Sequence, residues 1–122
     1  MVDDYNTGRK IILSYLKEMG FNCYEAQDGN QGMAVILQNN LDLVIADVNM
    51  PKKNGLDLLT EIRNDDVLNN LPFILTMLEP IDDIISAAKA LSVNEFLIKP
   101  FDVFTLSKVL DKVVKLDVGE VL

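Results

Sequence analysis

Three carboxylates and one ammonium stand at the ends of apolar runs in this chain. Asp47 closes the run Leu41-Asp42-Leu43-Val44-Ile45-Ala46 and is followed at once by Val48-Asn49-Met50-Pro51, which reads as a loop. Asp3 and Asp4 follow the apolar pair Met1-Val2, and Lys99-Pro100 follows Phe96-Leu97-Ile98. Open α/β sheets place their chemistry at the carboxyl ends of their strands. Acids gathered at such a rim repel one another. The chain has no His, so Ser-His-Asp and Cys-His catalysis and His-based metal sites are excluded.

The elements that must position these groups fit one domain spanning residues 1–122, a length that buries about two thirds of the unfolded surface without staples. Against 19 Asp and Glu there are 11 Lys and Arg, a net charge of −8. That balance repels phosphate backbones and argues against direct nucleic-acid or anionic-membrane partners. Cys23 is the only cysteine; it rules out an internal disulfide and reads as a small apolar strand residue. No apolar run approaches the ~20 residues of a membrane span, and the N-terminus lacks a signal-peptide layout. A soluble cytoplasmic protein is the expectation.

Helical spacing of Ile12, Tyr15, Leu16 and Met19 predicts a first helix, opened by Asn6-Thr7 and closed by Gly20. Phe21 to Ala26 reads as a strand, Asp28-Gly29 as a turn and Gln31 to Leu37 as a second helix ended by Asn39-Asn40. Leu41 to Ala46 is the continuous apolar run of a strand buried on both faces. Leu56, Leu58, Leu59 and Ile62 form a third helix ending near Asn64-Asp65. A strand at Pro72 to Met77, a helix at Ile81 to Leu91, a strand at Glu95 to Ile98 and a helix at Val103 to Leu116 complete the pattern. Alternating strands and helices indicate an α/β fold, a parallel sheet with helices on both faces. The tail Asp117 to Leu122 carries no expected element.

Ordered along the chain, Val2-Asp3-Asp4 with Arg9 following, Ala26-Gln27-Asp28-Gly29, Asp42 through Pro51, Asn54-Gly55 and Phe96-Leu97-Ile98-Lys99-Pro100-Phe101 resemble the receiver domain of two-component response regulators, close to the stand-alone chemotaxis type. The resemblance implies a flavodoxin-like, doubly wound, five-stranded parallel sheet of order 2-1-3-4-5 with five helices, a family and topology used as a standard illustration of ligand binding at a switch point. It implies a signalling phosphoacceptor, not a turnover enzyme: Asp47 takes a phosphoryl group from the phosphohistidine of a sensor histidine kinase or phosphotransfer protein. Mg²⁺ is the implied cofactor, with Asp4 and Asp47 as direct ligands, Asp3 acting through water and Asn49 lending its backbone carbonyl. Lys99 would contact a phosphoryl oxygen, and the Lys99-Pro100 bond would be cis. A downstream effector, or a second copy forming a homodimer, would bind the face of the fourth helix, last strand and final helix, where Ile81, Ile84, Ile85, Lys89, Phe104 and Lys108 are candidates. Ordinary amphipathic helices explain the same residues.

Two departures stand against this pattern. The family's switch is a Thr or Ser at the end of the fourth strand, and an ungapped match anchored at Pro72, Asp47 and Lys99 puts Met77 there, with Leu78 next at a normally small position. Either a one-residue shift brings Thr76 into the role or Met77 replaces the hydroxyl; the second reading is favoured, because a shift moves every side chain of the strand to the other face. Phe96 then holds the place of the coupled aromatic. The first strand is also truncated, since only Met1 and Val2 precede Asp3. Residues ahead of Met1, a strand from a neighbouring chain, or tolerance of a short strand would each answer this, the first being favoured.

Rival readings follow from these residues. Met77 and Leu78 motivate a phosphorylation-independent interaction module on the same fold. A flavin- or nucleotide-binding protein would need a Gly-rich phosphate loop that is absent, and an Asp-nucleophile hydrolase would need a further acid motif after Asn49.

Overall fold

The computed structural model describes residues 1–3, 6–50, 52–113 and 120–122, with the side chains of residues 6 and 7 outside that description. Its elements run α1 (Asn6–Glu18), β1 (Asn22–Cys23), α2 (Gly29–Gln38), β2 (Val44–Asp47), α3 (Gly55–Arg63), β3 (Phe73–Met77), α4 (Asp82–Ala90), β4 (Glu95–Ile98), α5 (Val103–Val113) and β5 (Glu120–Val121). Val114 to Leu116 of the expected last helix, Asp117 of the tail, Pro51 and the metal candidate Asp4 lie outside the described residues.

Strand pairing is parallel throughout, with β2 beside β3 and β3 beside β4. Every residue of β2 and β3 is buried, as the continuous apolar runs require of central strands covered on both sides. On one face the core gathers Met33 and Ile36 of α2, Leu58, Leu59 and Ile62 of α3 and Ala88 of α4. On the other it gathers Ile12, Leu13 and Leu16 of α1 with Leu106, Val109 and Leu110 of α5. These sets recur at three and four residues, so each helix turns one apolar stripe to the sheet.

Short polar side chains start α2, α3 and α5, whereas α4 starts after Ile81 without a side-chain cap. Asp28 does not merely turn the chain; its carboxylate accepts the Gln31 N–H at 2.9 Å and caps α2. Asn54 and Asp57 form a reciprocal capping box at the start of α3, and Asp102 accepts the Thr105 N–H at 2.8 Å ahead of α5. After α1 the chain turns through Gly20, whose φ of 97° is costly for a residue with a Cβ. At the pole away from the acids, Arg63 of α3 donates to the carbonyls of Leu71, Leu91 and Ser92 and ties the end of α3 to the start of β3 and the turn after α4.

The first strand departs from expectation. Val2 bridges Ala26 on one side and Ala46 on the other, yet the slot before it is filled by the chain's own β5, which pairs with β1 and reaches Leu43. The tail read as elementless therefore carries a strand, and the three explanations offered for a short first strand did not include this one. Counting Met1–Asp3 as strand one, the order across the sheet is the 2-1-3-4-5 that the resemblance implied, with the central strand assembled from two pieces of chain.

Replacing Asn54 by Ala removes the side-chain half of the capping box and is expected to cost about 1 kcal/mol, read as a lower urea midpoint with an unchanged slope.

Candidate functional site

Three strand ends meet at the carboxyl rim. Asp3 follows the Val2 bridge, Asp47 closes β2, and Lys99 follows β4 through an amide that donates to the Met77 carbonyl at 2.8 Å. The Lys99 ammonium donates to Asp3 Oδ2 at 2.8 Å and also to Asp47 Oδ2. Asp3 and Asp47 are almost wholly buried, their side chains 1% and 6% exposed, and Lys99 is 18% exposed. The peptide bond from Lys99 to Pro100 is cis. The structure thus brings Asp3, Asp47 and Lys99 together, and Asn49 lines the same cavity of about 490 Å³ with Gly8, Ile11, Leu78 and Phe101.

Electrostatics at this rim are balanced narrowly. Burial pushes the Asp47 carboxyl above its ordinary range, against the opposing pull of Lys99 and of the Asn49 N–H, which donates to Oδ1 at 2.8 Å. Burial also opposes the charge on Lys99, but the carboxylates of Asp3 and Asp47 outweigh it and hold the ammonium above its usual value. Among the described residues, then, the Lys99 ammonium serves two buried carboxylates, and further positive charge would favour the ionised form of Asp47.

Arg9 is a site-supporting residue whose role the sequence reading left unstated. Buried on α1, it donates through Nη1 to the Asp3 carbonyl and through Nε to Glu25 Oε1 at 3.0 Å. It thereby fixes the backbone at Asp3, and its spacing after Asp3-Asp4 was the available signal. Gly55 is also needed, for close approach of main chain to main chain. A Cβ there would lie 2.5 Å from the Asp47 carbonyl oxygen and 2.9 Å from its carbon, so the start of α3 packs directly on the acceptor's own main chain.

The two candidates for the switch position point to opposite faces. Thr76 is the register partner of Asp47, and side chains of paired residues emerge on the same side of a sheet. Its buried Oγ1 has no hydrogen-bond partner among the described residues. Met77 points the other way, into the core that holds Ala46, Val48 and Leu75, against which Phe96 packs. Leu78 is exposed at the mouth of the cavity.

A doubly wound parallel sheet with buried acids and a lysine at its carboxyl rim is a flavodoxin-like arrangement. The profile of the response regulator receiver domain matches residues 1–111, and the chain belongs to that family. It is 40% identical over 115 residues to the chemotaxis protein CheY-3 of Vibrio cholerae, across 93% of this chain and 88% of that protein. Among solved structures, Vibrio cholerae CheY4 superposes with a TM-score of 0.87 at 28% identity, covering 93% of this chain and 94% of that one. The receiver domain of a Pseudomonas aeruginosa sensor histidine kinase, with a magnesium ion coordinated in its active-site cleft, shares the fold at a TM-score of 0.84 and 21% identity, with 94% of each chain covered. Among the described residues no helix is long and apolar enough to cross a membrane.

Two substitutions test this geometry. Gly55→Ala forces a methyl group onto the Asp47 backbone and is expected to cost about 1–3 kcal/mol, measured by urea unfolding. Thr76→Val, which removes an unpartnered buried hydroxyl while keeping its shape, should leave stability unchanged or raise it by about 1 kcal/mol in the same assay.

Proposed function

We propose that this receiver is a phosphoacceptor of a two-component phosphorelay, with Asp47 as the residue modified. The observation that carries the reading is the Lys99 ammonium shared by the buried carboxylates of Asp3 and Asp47. A carboxylate is a weak nucleophile beside an anionic phosphoryl group unless positive charge lies at both. Asp47 Oδ attacks phosphorus as the P–N bond of a partner kinase's phosphohistidine breaks, its electron pair leaving with the imidazole. Lys99 then pairs with a phosphoryl oxygen, which a point charge on a flexible stem can do without strict geometry.

The donor set fits Mg²⁺: hard carboxylate oxygens at Asp3 and Asp47, with Asn49 on the same cavity and Asp4 adjacent in sequence. When bound, the ion supplies charge neutralisation between acceptor and phosphoryl group. The signal leaves through the face of α4, β4 and α5, where Ile81 and Phe104 are exposed while Ile84 and Ile85 pack partly into the core. An effector protein, or a second copy, is the partner proposed for that face. Met77 cannot donate a hydrogen bond to a phosphoryl oxygen, so coupling between Asp47 and this face is proposed to be weaker than with a hydroxyl there. The buried position of Met77 favours, as a second reading, an interaction module that works without phosphorylation.

Incubation with acetyl phosphate and Mg²⁺ followed by intact-mass spectrometry decides between them. One phosphoryl adduct is expected on the wild type, abolished by Asp47→Asn and by a chelator. An adduct that survives Asp47→Asn defeats the assignment, and absence of adduct from the wild type favours the interaction module.

A further inference from the structure

The central strand is continuous in register although the chain is not. Against β1 the pairs are Asn22 with Glu120 and Cys23 with Val121, and then Ala26 with Val2; against β2 they are Leu43 with Val121 and Ala46 with Val2. On both sides the intervening positions fall to Leu122 and Met1. Glu120, Val121, Leu122, Met1, Val2 and Asp3 thus occupy successive places of one strand, all running the same way.

Two neighbours bond both halves. Tyr24 donates its N–H to the Val121 carbonyl at 2.8 Å and accepts the Met1 nitrogen on its own carbonyl at 2.6 Å. Ile45 donates to the Leu122 carbonyl and accepts the Val2 N–H at 2.8 Å. Side chains hold the outer half as well: the Tyr24 hydroxyl donates to Glu120 Oε1 at 2.9 Å, and Asp42 Oδ2 accepts the Glu120 N–H at 2.9 Å. Val121 and Leu122 are fully buried. Beyond the junction, the Asp3 N–H donates to Ala26 and the Asp47 N–H to the Val2 carbonyl. Asp3 therefore sits on the short inner half and Asp47 bonds to it, while Glu120–Leu122 extends the same hydrogen-bonded ladder outward.

We infer that Glu120–Leu122 is a positioning element of the acidic site: by completing the strand through Tyr24 and Ile45 it fixes Met1–Asp3, and its release weakens cation binding at Asp3 and Asp47 although none of its residues touches the cation. This rests on the proposed role of those carboxylates. It identifies Val121 and Leu122 as residues that act on the site through backbone order alone.

Isothermal titration of Mg²⁺ into the full chain, a chain lacking residues 120–122, Val121→Ala and Val121→Ile tests it, each at a temperature where circular dichroism shows the protein folded. The deletion is expected to raise the Mg²⁺ Kd by about tenfold or more, in the range seen when groups supporting metal ligands are removed. Val121→Ala should raise it by a smaller factor, and Val121→Ile should restore the wild-type value. If the deletion does not fold, the two substitutions decide. A lowered Tm with unchanged Kd reduces the segment to a stability element and overturns the inference while leaving the site reading intact. A full chain that binds no Mg²⁺ and takes no phosphoryl adduct overturns the site reading, and this inference with it.

Discussion

Among the described residues, two buried carboxylates that repel each other share the Lys99 ammonium, and most of the local architecture follows from that. Lys99 reaches Asp3 and Asp47 because all three stand at the carboxyl ends of parallel strands of one sheet, Asp3 and Asp47 on neighbouring strands and Lys99 across the intervening β3. Such a cluster cannot be built from neighbouring residues of one helix or loop without exposing it to water. Parallel strands deliver the groups side by side from distant parts of the chain, and the helices above and below keep solvent out. Arg9 on the Asp3 carbonyl and Gly55 against the Asp47 main chain act on the backbone, where a small displacement would be amplified at the carboxylates.

The sheet also divides the molecule. Asp47 and its register partner Thr76 face the side covered by α1 and α5, while Met77 and Phe96 belong to the core under α2, α3 and α4. Chemistry at the rim can influence the α4 side through the main chain of the strands, and through the start of α3, which packs on the Asp47 backbone. A hydroxyl at the end of β3 would offer a direct polar handle for that coupling. Met77 offers shape and packing instead.

The sequence was legible where its signals were local. The run from Leu41 to Ala46 marks a buried strand because six consecutive positions suit a two-sided apolar environment, although its pairing runs from Val44 to Asp47. Helix faces were readable from spacing, whereas the caps Asp28 and Asn54 were taken for turn and loop residues although each stands just before an apolar repeat. Asp3, Asp47 and Lys99 were legible as strand-end charges. What escaped was non-local: Glu120-Val121-Leu122 has too few residues to show a period, and its meaning depends on a slot made by residues from the other end of the chain. The choice between Thr76 and Met77 is likewise a question of face, which register decides and composition does not.

The two-piece central strand bears on how the molecule is made. Its halves are separated by nearly the whole chain, so the contact that closes the sheet has the greatest loop-closure cost of any in the fold. Helices and the β2–β3–β4 unit can organise from nearer neighbours as synthesis proceeds. The sheet's middle, with the acids it carries, closes only when Glu120–Leu122 meets the neighbours of Met1–Asp3, so the charged rim is completed by the contact most distant along the chain.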